Sequence, residues 1–316
     1  MFKVSVLNEL TDHQVNEILE IVTEASETDG ARPFSEHVEL HLRSGGDRRI
    51  IHLIAQNGNQ KIVGYGHLDT TDLVAGPSGE LVVHPEFRLK GIATEIISEI
   101  KKLIKGQSLR LWSHGDIPHA QEFAKKLGFD SVRNVIQMRR SLFSPIEHFI
   151  IPGNYKLKQF DPQTDIDKFL NLNKACFVDL PDQSSWTKKD VELRISENWF
   201  SAKGFVLLIN SNEEVVGFCW TKVHGQDHAH NEDDGHQHLD HGHDPIGEIY
   251  VLGVHPQEHR KGLGKALTLW GLNHLRRSGL DSAMLYVDSN NQKAIKLYEE
   301  LGFGFWGLDR LYRSFT

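Results

Sequence analysis

The hydrophobic and polar positions along this chain follow the same order twice, once in each half. In the first half, the apolar runs RRIIHLIAQ and KIVGYGHLD are joined by the turn NGNQ, which predicts two antiparallel strands. In the second half, FVLLIN and VVGFCWTKVH flank SNEE in the same way. Each pair is followed by a further strand, a glycine-containing loop, a helix, a strand, a second helix and a last strand. The order predicts an α/β (α+β) protein with mixed, mostly antiparallel sheets flanked by helices.

Apolar residues that recur every three or four positions predict the helices. The stretch TDHQVNEILEIVTEAS opens with a capping box, in which Thr11 and Gln14 satisfy each other's free backbone groups. The helices after the two glycine-containing loops each have one apolar face, formed by Ile92, Ile96, Ile100 and Leu103 in the first half and by Leu263, Ala266, Leu267 and Trp270 in the second. Gly128 and Gly302, each in an LGF triplet, suit the left-handed residue that ends a helix.

One segment of the chain is almost repeated. The two copies read ELVVHPEFRLKGIATEII and EIYVLGVHPQEHRKGLGKALTLW. Since more than half of the 316 residues separate Gly91 from Gly262, the repeat indicates two duplicated domains rather than an array of short units. Prolines and a glycine in the segment between the halves mark the boundary, so the domains are predicted to span residues 1–145 and 153–316.

The composition, with 39% hydrophobic and 25% charged residues, predicts a soluble globular protein. A formal net charge of −8 argues against general nucleic-acid binding, because phosphate contacts require a basic surface. The two cysteines, Cys176 and Cys219, lie in separate apolar segments, so no disulfide framework is expected and the reducing cytoplasm is the predicted location. The sequence shows neither a signal-peptide pattern nor an apolar run long enough to cross a bilayer, so we expect no membrane association.

Each copy of the repeat leads from a His-Pro pair through a basic, glycine-containing loop into a helix. A helix that starts in RKGLGK presents unpaired backbone N–H groups and the positive end of its dipole, and the glycines let a ligand approach the backbone. This combination favours phosphate binding. The loop alone is not specific, because glycines also serve tight turns. It is neither a dinucleotide fingerprint nor a P-loop, since it lacks G-x-G-x-x-G and the G-K-[ST] ending.

The whole run of strand, loop, helix, strand, helix and strand resembles the GNAT acetyltransferases, whose signature Q/R-x-x-G-x-G/A lies at the pyrophosphate of acetyl-CoA. RLKGIA fits this signature, whereas HRKGLG has His259 where Gln or Arg is usual. The resemblance implies acetyl-CoA as the co-substrate, with no metal required, and a pantetheine arm that pairs with the strand before the loop. The residues implied in acetyl-CoA binding are Leu252, Gly253, Val254, His259, Arg260, Lys261, Gly262, Leu263, Gly264, Lys265, Asn291 and Lys296 in the second half, and Leu81, Val82, Val83, Arg88, Lys90, Gly91, Ile92 and Ala93 in the first.

Within this family, the chain also resembles the tandem-domain members that acetylate the cysteine amine of cysteinyl-glucosaminyl-inositol. It is carried by a series of separated motifs in the same order, namely DGARPFSEHV, LVVHP, IQMRR, GFCWTKVH, GEIYVLGVHP and MLYVDSNNQKAIKLYEELGF. The implied partners are therefore two small molecules, this conjugate and acetyl-CoA. We expect the chain to act on them as a monomer.

Acetyl transfer to an amine needs a base for the amine, an acid for the leaving thiolate and a donor for the oxyanion. The resemblance implies that Glu248 is the base, Tyr298 the acid and the backbone N–H of Leu252 the donor. Counting back from the matching motifs of the first half puts Pro77 and Ala124 at the positions of the base and the acid. Neither residue can move a proton. Both halves are therefore predicted to hold acetyl-CoA, and only the second to catalyse.

The resemblance also implies acceptor contacts from Glu36, Asp182, Lys222 and Tyr286 in addition to Glu248, with Asp182 where glutamate is expected. Ordinary interpretations exist for all of these residues. Charged loop residues are mostly solvated, a tyrosine on an amphipathic helix usually packs in the core, and a glutamate on a strand often faces solvent. Their joint placement in the family pattern favours the functional interpretation.

Residues 224–244 form an insertion that contains seven histidines with acidic residues between them. Its low apolar content predicts a solvated loop. Histidine pairs at one-residue spacing favour weak Zn²⁺ or Ni²⁺ binding, but the segment lacks cysteines and a fixed scaffold, so a structural metal site is not expected. We expect the loop to be tolerated rather than catalytic.

Two alternative functions remain open from the sequence. In the first, the chain is an acetyltransferase whose acceptor is a different small amine or a peptide. In the second, the chain is a non-catalytic module that binds acyl-CoA. The second alternative gives no reason for Glu248 and Tyr298 to occur together in one half only, so the pattern favours an enzyme.

Overall fold

The computed structural model describes residues 2–44, 49–71, 76–224 and 245–314. The chain divides into two compact units. The N-terminal unit comprises residues 1–136, 288–290 and 307–316, and the C-terminal unit comprises residues 137–287 and 291–306.

The N-terminal unit opens with a four-stranded antiparallel arrangement and continues with a parallel strand. Its strands are β1 (Phe2–Leu7), β2 (Ile50–Asn57), β3 (Ile62–Asp69), β4 (Ser78–Val83) and β5 (Arg110–Ser113). Its helices are α1 (Asp12–Asp29), α2 (Glu36–Ser44), α3 (Ile92–Leu103) and α4 (Pro118–Lys126). The strands pair in the order β1-β2-β3-β4-β5.

Helices cover both faces of this sheet. Glycines on β3 allow α3 to pack closely, because a Cβ on Gly64 would lie 2.8 Å from Ile92 and one on Gly66 would lie 2.7 Å from Ile96. The opposite face packs against α1, whose Ile18 and Val22 share a cluster with Tyr65 of β3. The two faces therefore have separate cores, one under each helix.

Local sequence signals place the helix ends correctly. The predicted capping box of α1 is confirmed, with Thr11 N donating to Gln14 Oε1 at 2.9 Å and Gln14 N donating to Thr11 Oγ1 at 3.3 Å. Gly128 and Gly302 are confirmed as left-handed residues, with φ of 75° and 84°. The predicted apolar face of α3 is wrong at its end, where Leu103 is 37% exposed.

The C-terminal unit repeats this plan. Its strands are β6 (Phe129–Ser141, from Gln137 onward), β7 (Tyr155–Gln159), β8 (Phe205–Asn210), β9 (Val215–His224), β10 (Ile246–Val254) and β11 (Ser282–Asp288). Its helices are α5 (Ile166–Cys176), α6 (Pro181–Ser184), α7 (Lys188–Ser196), α8 (Leu263–Arg277) and α9 (Gln292–Glu300). The strands pair in the order β6-β11-β10-β9-β8-β7.

Aromatic side chains form the core on the α5 face of this sheet. Phe205 stacks between Phe160 and Trp220, with ring centroids 4.0 and 4.5 Å away. The other face packs against α8, where a Cβ on Gly271 would lie 2.5 Å from Ile249 and 3.1 Å from the Sγ of Cys219. The predicted architecture of mixed, mostly antiparallel sheets flanked by helices is confirmed, and the helices lie on both faces.

The end of each sequence repeat belongs to the compact unit formed mainly by the other repeat. The final strand, β12 (Gly304–Ser314), pairs antiparallel with β5 through residues 310–313, which belong to the N-terminal unit. Residues 137–141 of β6, which close the first sequence repeat, belong to the C-terminal unit. The domain limits 1–145 and 153–316 therefore stay a prediction about the duplicated sequence, and the compact units follow a different division.

Candidate active site

Strands β10 and β11 of the C-terminal unit run side by side over a short distance and then separate. They pair in parallel at Gly247, Glu248 and Ile249 only, whereas β10 pairs with β9 along its whole length. A bulge at Tyr250 interrupts the β9 register between Ile249 and Val251, and such bulges bend a strand. Beyond the bulge, the β11-facing backbone of β10 is left without a ladder partner among the described residues.

The N-terminal unit has the same separation. Strand β4 pairs in parallel with β5 at Ser78 and Gly79, and the remainder of β4 pairs with β3 alone within the described residues. An extended ligand arm can add to such an open strand edge by backbone hydrogen bonding. The predicted pantetheine contacts, Leu81 to Val83 and Leu252 to Val254, lie on these two edges.

The loop after β10 ends in a helix that lacks a side-chain cap. Gly262 has φ of 77° and caps α8 without a side-chain hydrogen bond. The first backbone bond of the helix runs from Ala266 N to Gly262 O, so the N–H groups of Leu263, Gly264 and Lys265 precede the helical pattern. A Cβ on Gly264 would meet only Leu297, at 3.9 Å, so the surface beside these N–H groups is open to a phosphate.

His259 fastens this loop to the end of β10. Its Nε2 lies 2.9 Å from the carbonyl oxygen of Val254. In the N-terminal unit, Arg88 Nε donates to the carbonyl of Val83 at 3.2 Å, which is the matching contact. The histidine that departs from the family signature thus makes the same bond to the strand as the arginine that fits it.

Most basic side chains near the two loops have partners. Lys261 Nζ lies 2.6 Å from Glu258 and Lys265 Nζ lies 2.7 Å from Glu147. Arg88 makes a bidentate ion pair with Asp29, with N···O distances of 2.7 and 2.8 Å. Lys90 Nζ donates to a backbone carbonyl at 2.9 Å. Backbone N–H groups are therefore the main phosphate donors that the geometry offers.

Glu248 is buried on the face of the sheet opposite α8. A Cβ on Gly247 would contact Leu275 of α8 at 2.7 Å, and Ile249 also packs on α8, so Glu248 between them points the other way. The residue is 6% exposed. Its Oε2 lies 2.6 Å from Nε2 of His224 on β9. A carboxylate held in this way is a candidate base at the point where β10 leaves β11.

Tyr298 lies on α9, the helix after β11, beside Leu297, which is the residue nearest to Gly264 at the start of α8. The residue is half-buried, and within the described ranges its hydroxyl makes no hydrogen bond with the protein. Burial, with a smaller contribution from the Cys219 thiol on the α8 face, raises the pKa of Tyr298 to about 12. The phenol is therefore protonated over the whole physiological range and is able to donate a proton.

The predicted acceptor contacts fall in different places. Lys222 lies directly opposite Glu248 on β9, and its Nζ is 4.6 Å from the Trp199 ring centre. Tyr286 on β11 is 44% exposed, and its hydroxyl accepts a hydrogen bond from Gln137 at 2.8 Å. Lys222 and Glu248 are thus brought together by the strand register.

The other predicted contacts are less defined. Glu36 begins α2 in the N-terminal unit. Asp182 lies in α6, but its side chain is outside the described residues. Asn291 caps α9 by accepting a bond from Ala294 N at 3.2 Å, and Lys296 is exposed on the same helix. Of the histidine-rich insertion, residues 225–244 also lie outside the described residues, and His224 is the last residue of β9 rather than part of a loop.

The strand register corrects the counted match for Glu248 in the N-terminal unit. Glu248 lies opposite Lys222, and the matching position opposite Asp69 is Ser78, not Pro77. The difference of one residue arises because the bulge at Tyr250 has no counterpart in β4. Ala124, the match for Tyr298, is buried in the core.

Several side-chain contacts of Glu248 and of the nearby Tyr250 were not predicted from the sequence. His224 bonds to the carboxylate. Arg194 of α7 donates to the Tyr250 hydroxyl at 2.6 Å and lies 4.1 Å from the Trp186 ring centre. The alternation of β9 places His224 on the same face as Lys222, and this signal was present in the sequence. The contacts from α7 depend on folding and had no local signal.

Comparison with protein-family models gives two matches of the same kind. Residues 166–303 match the model described as "Acetyltransferase (GNAT) family", and residues 48–131 match the "Acetyltransferase (GNAT) domain". No helix among the described residues is long and apolar enough to cross a membrane. Within the same residues, no group of three or more histidine, cysteine or acidic side chains is arranged to hold a metal ion.

Curated relatives match almost the whole length of the chain. The chain is 45% identical to "Mycothiol acetyltransferase" of Acidothermus cellulolyticus, over 93% of this chain and 89% of the relative. It is 40% identical to the protein of the same name from Streptosporangium roseum, over 96% and 97%. The protein of that name from Streptomyces coelicolor is 37% identical, over 99% and 96%.

Solved structures with the same fold are more distant in sequence. A "Tandem GNAT protein from the clavulanic acid biosynthesis pathway" aligns with a TM-score of 0.74 at 15% identity, over 99% of this chain and 98% of the other. A GCN5-related N-acetyltransferase from Sphaerobacter thermophilus aligns with a TM-score of 0.69 at 18% identity, over 99% and 95%. At this identity, the likeness concerns the fold alone.

Proposed function

Since the chain belongs to the GNAT family of acetyltransferases and, within it, to the proteins named mycothiol acetyltransferase, we propose that it transfers the acetyl group of acetyl-CoA to the cysteine amine of cysteinyl-glucosaminyl-inositol, which yields mycothiol. The proposal is supported by two findings together: relatives of this name match almost the whole chain, and the C-terminal unit has a buried carboxylate where β10 and β11 separate and a protonated phenol on the helix that follows β11.

The first step concerns the amine. An α-amine of this kind has a pKa near 8, so it must lose a proton before or during attack on the thioester carbon. Glu248 takes that proton, directly or through a water molecule. Its burial at the edge where β10 and β11 part supports this role, because the amine reaches the carbonyl from that face. A new C–N bond forms as the proton leaves the nitrogen.

The second step concerns the tetrahedral intermediate. Its oxyanion needs a positioned N–H donor, and the backbone of Leu252 lies on the strand edge left open after the bulge. When the C–S bond breaks, Tyr298 gives its proton to the departing sulfur. A phenol with a pKa of about 12 is fully protonated at neutral pH and so is ready for this transfer.

Acetyl-CoA fits the start of α8. The open N–H groups of Leu263, Gly264 and Lys265 suit its pyrophosphate, and the free edge of Leu252 to Val254 suits its pantetheine arm. His259, Arg260, Lys261 and Gly262 belong to the same loop, and α9, which is capped by Asn291 and carries Lys296, has Leu297 as the residue nearest to Gly264. We propose that the matching residues of the N-terminal unit, Leu81 to Val83, Arg88 and Lys90 to Ala93, hold acetyl-CoA without turnover.

The acceptor is rich in hydroxyl groups, so its recognition requires polar side chains that are satisfied only by the right ligand. We assign Lys222, Tyr286, Glu36 and Asp182 to this role. Lys222 is supported most directly, since it lies opposite Glu248 on the adjacent strand. The cysteine of the acceptor then reaches the base while its sugar extends along the same face.

The test is an acetylation assay with a panel of acceptors. Purified chain is incubated with acetyl-CoA and either cysteinyl-glucosaminyl-inositol, free cysteine, glucosamine or a short peptide, and CoA and product are measured by chromatography with mass detection. We expect one added acetyl group that resists hydroxylamine, as an amide does and a thioester does not. The value of kcat/KM should be at least about 100-fold higher for the first acceptor than for the others.

Each contrary result points to a different alternative. A higher kcat/KM for another amine or the peptide would assign a different acceptor. If acetyl-CoA binds but no acceptor is acetylated even in a single turnover, the chain is an acyl-CoA-binding module.

A further inference from the structure

His224 touches the Glu248 carboxylate, although the sequence pattern assigned it only to the histidine-rich insertion. Its Nε2 lies 2.6 Å from Glu248 Oε2, a short charge-assisted hydrogen bond. The side chain of Glu248 is 8% exposed and that of His224 is 30% exposed. The imidazole therefore lies between a buried carboxylate and the solvent.

The strand register explains why these two side chains meet. Glu248 of β10 lies directly opposite Lys222 of β9, and His224 lies two positions farther along β9, opposite Ile246. Positions two apart on a strand share a face, so His224 and Lys222 both point to the side of the sheet that holds Glu248. A diagonal neighbour at this spacing is within reach of a long side chain.

The other groups around the carboxylate have different tasks. Lys222 Nζ lies over two aromatic rings, 4.6 Å from the Trp199 centre and 5.5 Å from the Tyr250 centre. Tyr250 is the bulge residue, and its hydroxyl accepts a bond from Arg194. The hydrogen bond from His224 is directed at one carboxylate oxygen, so it fixes the rotation of the group and leaves Oε1 for the amine.

We infer that His224 is the positioning residue of the reaction: it donates its Nε2–H to Glu248 Oε2 and so aims Oε1 at the acceptor amine. The inference rests on the proposed function, because it takes Glu248 as the base. The proton balance is simple. The amine proton moves to Oε1 as the C–N bond forms, and His224 keeps its own proton throughout.

The test uses three substitutions that separate the position of the donor from the shape of the ring. His224→Phe keeps an aromatic ring but has no N–H group. His224→Gln carries an amide nitrogen as many bonds from Cα as Nε2, whereas His224→Asn carries one only as far out as Nδ1. The full chain is assayed with acetyl-CoA and cysteinyl-glucosaminyl-inositol, and kcat and the acceptor KM are measured separately.

We expect His224→Phe to lower kcat by about 10- to 100-fold, with the acceptor KM within about threefold of wild type, because a misplaced base costs rate rather than binding. His224→Gln should recover most of the lost kcat, and His224→Asn should not. Urea midpoints equal to wild type would show that folding is intact. The inference fails if His224→Phe keeps wild-type kcat, or if Asn restores the rate as well as Gln.

A double-variant cycle separates this inference from the proposed function. If His224 acts through Glu248, then adding His224→Phe to Glu248→Gln should lower kcat no further. A full additional loss would show an independent role and overturn the inference while leaving the base assignment in place. If Glu248→Gln alone retains wild-type kcat, the proposed base is wrong and the inference fails with it.

Discussion

In the N-terminal unit, a row of polar side chains crosses three adjacent strands, and in the C-terminal unit the matching row is apolar. The rows are His52, His67 and Glu80 on β2, β3 and β4, and Phe205, Trp220 and Val251 on β8, β9 and β10. In the first row, Glu80 accepts two hydrogen bonds from Ser35, at 2.6 and 2.7 Å, and lies 3.4 Å from His114. In the second row, the rings of Phe205 and Trp220 stack in the core.

The comparison shows that the two units share the backbone geometry of the site and differ in the side chains that could carry out chemistry. Both units part their parallel strands, fasten the loop to the strand end and start a helix at a left-handed glycine. The N-terminal unit satisfies its buried carboxylate with its own residues. The C-terminal unit has Val251 at the matching position, and its buried carboxylate, Glu248, lies two residues before the bulge at Tyr250, where His224 bonds to only one of its two oxygens. The two units can therefore share the backbone geometry for binding acetyl-CoA while only one of them is a catalytic site.

The comparison is tested most strongly by replacing the two matched strand residues. Glu248→Gln should lower kcat/KM for the cysteinyl acceptor by about 100- to 10,000-fold, because the amide cannot take a proton. Ser78→Ala, at the matching position of the N-terminal unit, should change it by less than twofold. Steady-state assays of CoA release measure both. Comparable losses in the two variants would mean that both units contribute to the chemistry.

The second prediction concerns the polar network of the N-terminal unit. Burial alone would lower the pKa of His114, but the carboxylates of Glu80 and Asp309 outweigh it and raise the pKa to about 10. A folded pKa above the unfolded value of about 6.5 stabilises the protein fully below pH 6.5, and the contribution is lost as the pH rises toward 10. His114→Gln should therefore lower the free energy of unfolding by about 3 kcal/mol at pH 6, and by much less near pH 10.

Urea unfolding of wild type and variant at pH 6, 8 and 9.5 measures this difference. His13→Gln is the matched control, because the side chain of His13 is 83% exposed and its loss should have little effect at any pH. A difference between wild type and His114→Gln that stays constant over this range would show that His114 is not charged in the folded protein.

The parts of the molecule that the sequence predicts are those with local signals. The Thr11 capping box, the left-handed Gly128 and Gly302 and the two loops each depend on neighbouring residues, and all are found. Pairing between distant residues has no such signal. The hydrogen bond between His224 and Glu248 joins residues on either side of the histidine-rich insertion, so no pattern of neighbouring residues predicts it.

The register correction has the same origin. Counting residues back from the two His-Pro pairs matched Glu248 to Pro77. The count was one residue off because a one-residue bulge cannot be recognised in the sequence and becomes visible only when the strand pairing is known. The sequence also does not predict that the end of each repeat belongs to the other compact unit, because a strand has the same apolar pattern whichever sheet it joins.

The third prediction uses the other pair of matched positions, Tyr298 and Ala124. Tyr298→Phe should lower kcat by about tenfold, a modest effect because a thiolate is a good leaving group. Since burial raises the pKa of Tyr298 to about 12, the phenol does not lose its proton below pH 10. Wild-type kcat should therefore show no alkaline decline from this residue between pH 7 and 10. A decline that disappears in Tyr298→Phe would contradict this assignment.

The smallest effect is expected at the helix starts. Gly262→Ala adds a side chain to a left-handed residue, which costs about 1 kcal/mol of strain and crowds the open N–H groups, so KM for acetyl-CoA should rise about three- to tenfold. Gly91→Ala, at the matching φ of 85°, should weaken acetyl-CoA binding to the N-terminal unit and leave the KM of the reaction unchanged. Calorimetric titration counts the sites, and steady-state kinetics gives KM.

Gly279→Ala separates strain from ligand contact. Gly279 follows the other end of α8, has φ of 82° and has no atom within 4 Å of an added Cβ, as is true of Gly262. The two alanine variants should therefore lose similar free energy of unfolding, and only Gly262→Ala should bind acetyl-CoA more weakly. If Gly279→Ala raises KM as much, the effect comes from loosening the helix. If Gly91→Ala raises the KM for acetyl-CoA instead, the reaction uses the acetyl-CoA site of the N-terminal unit.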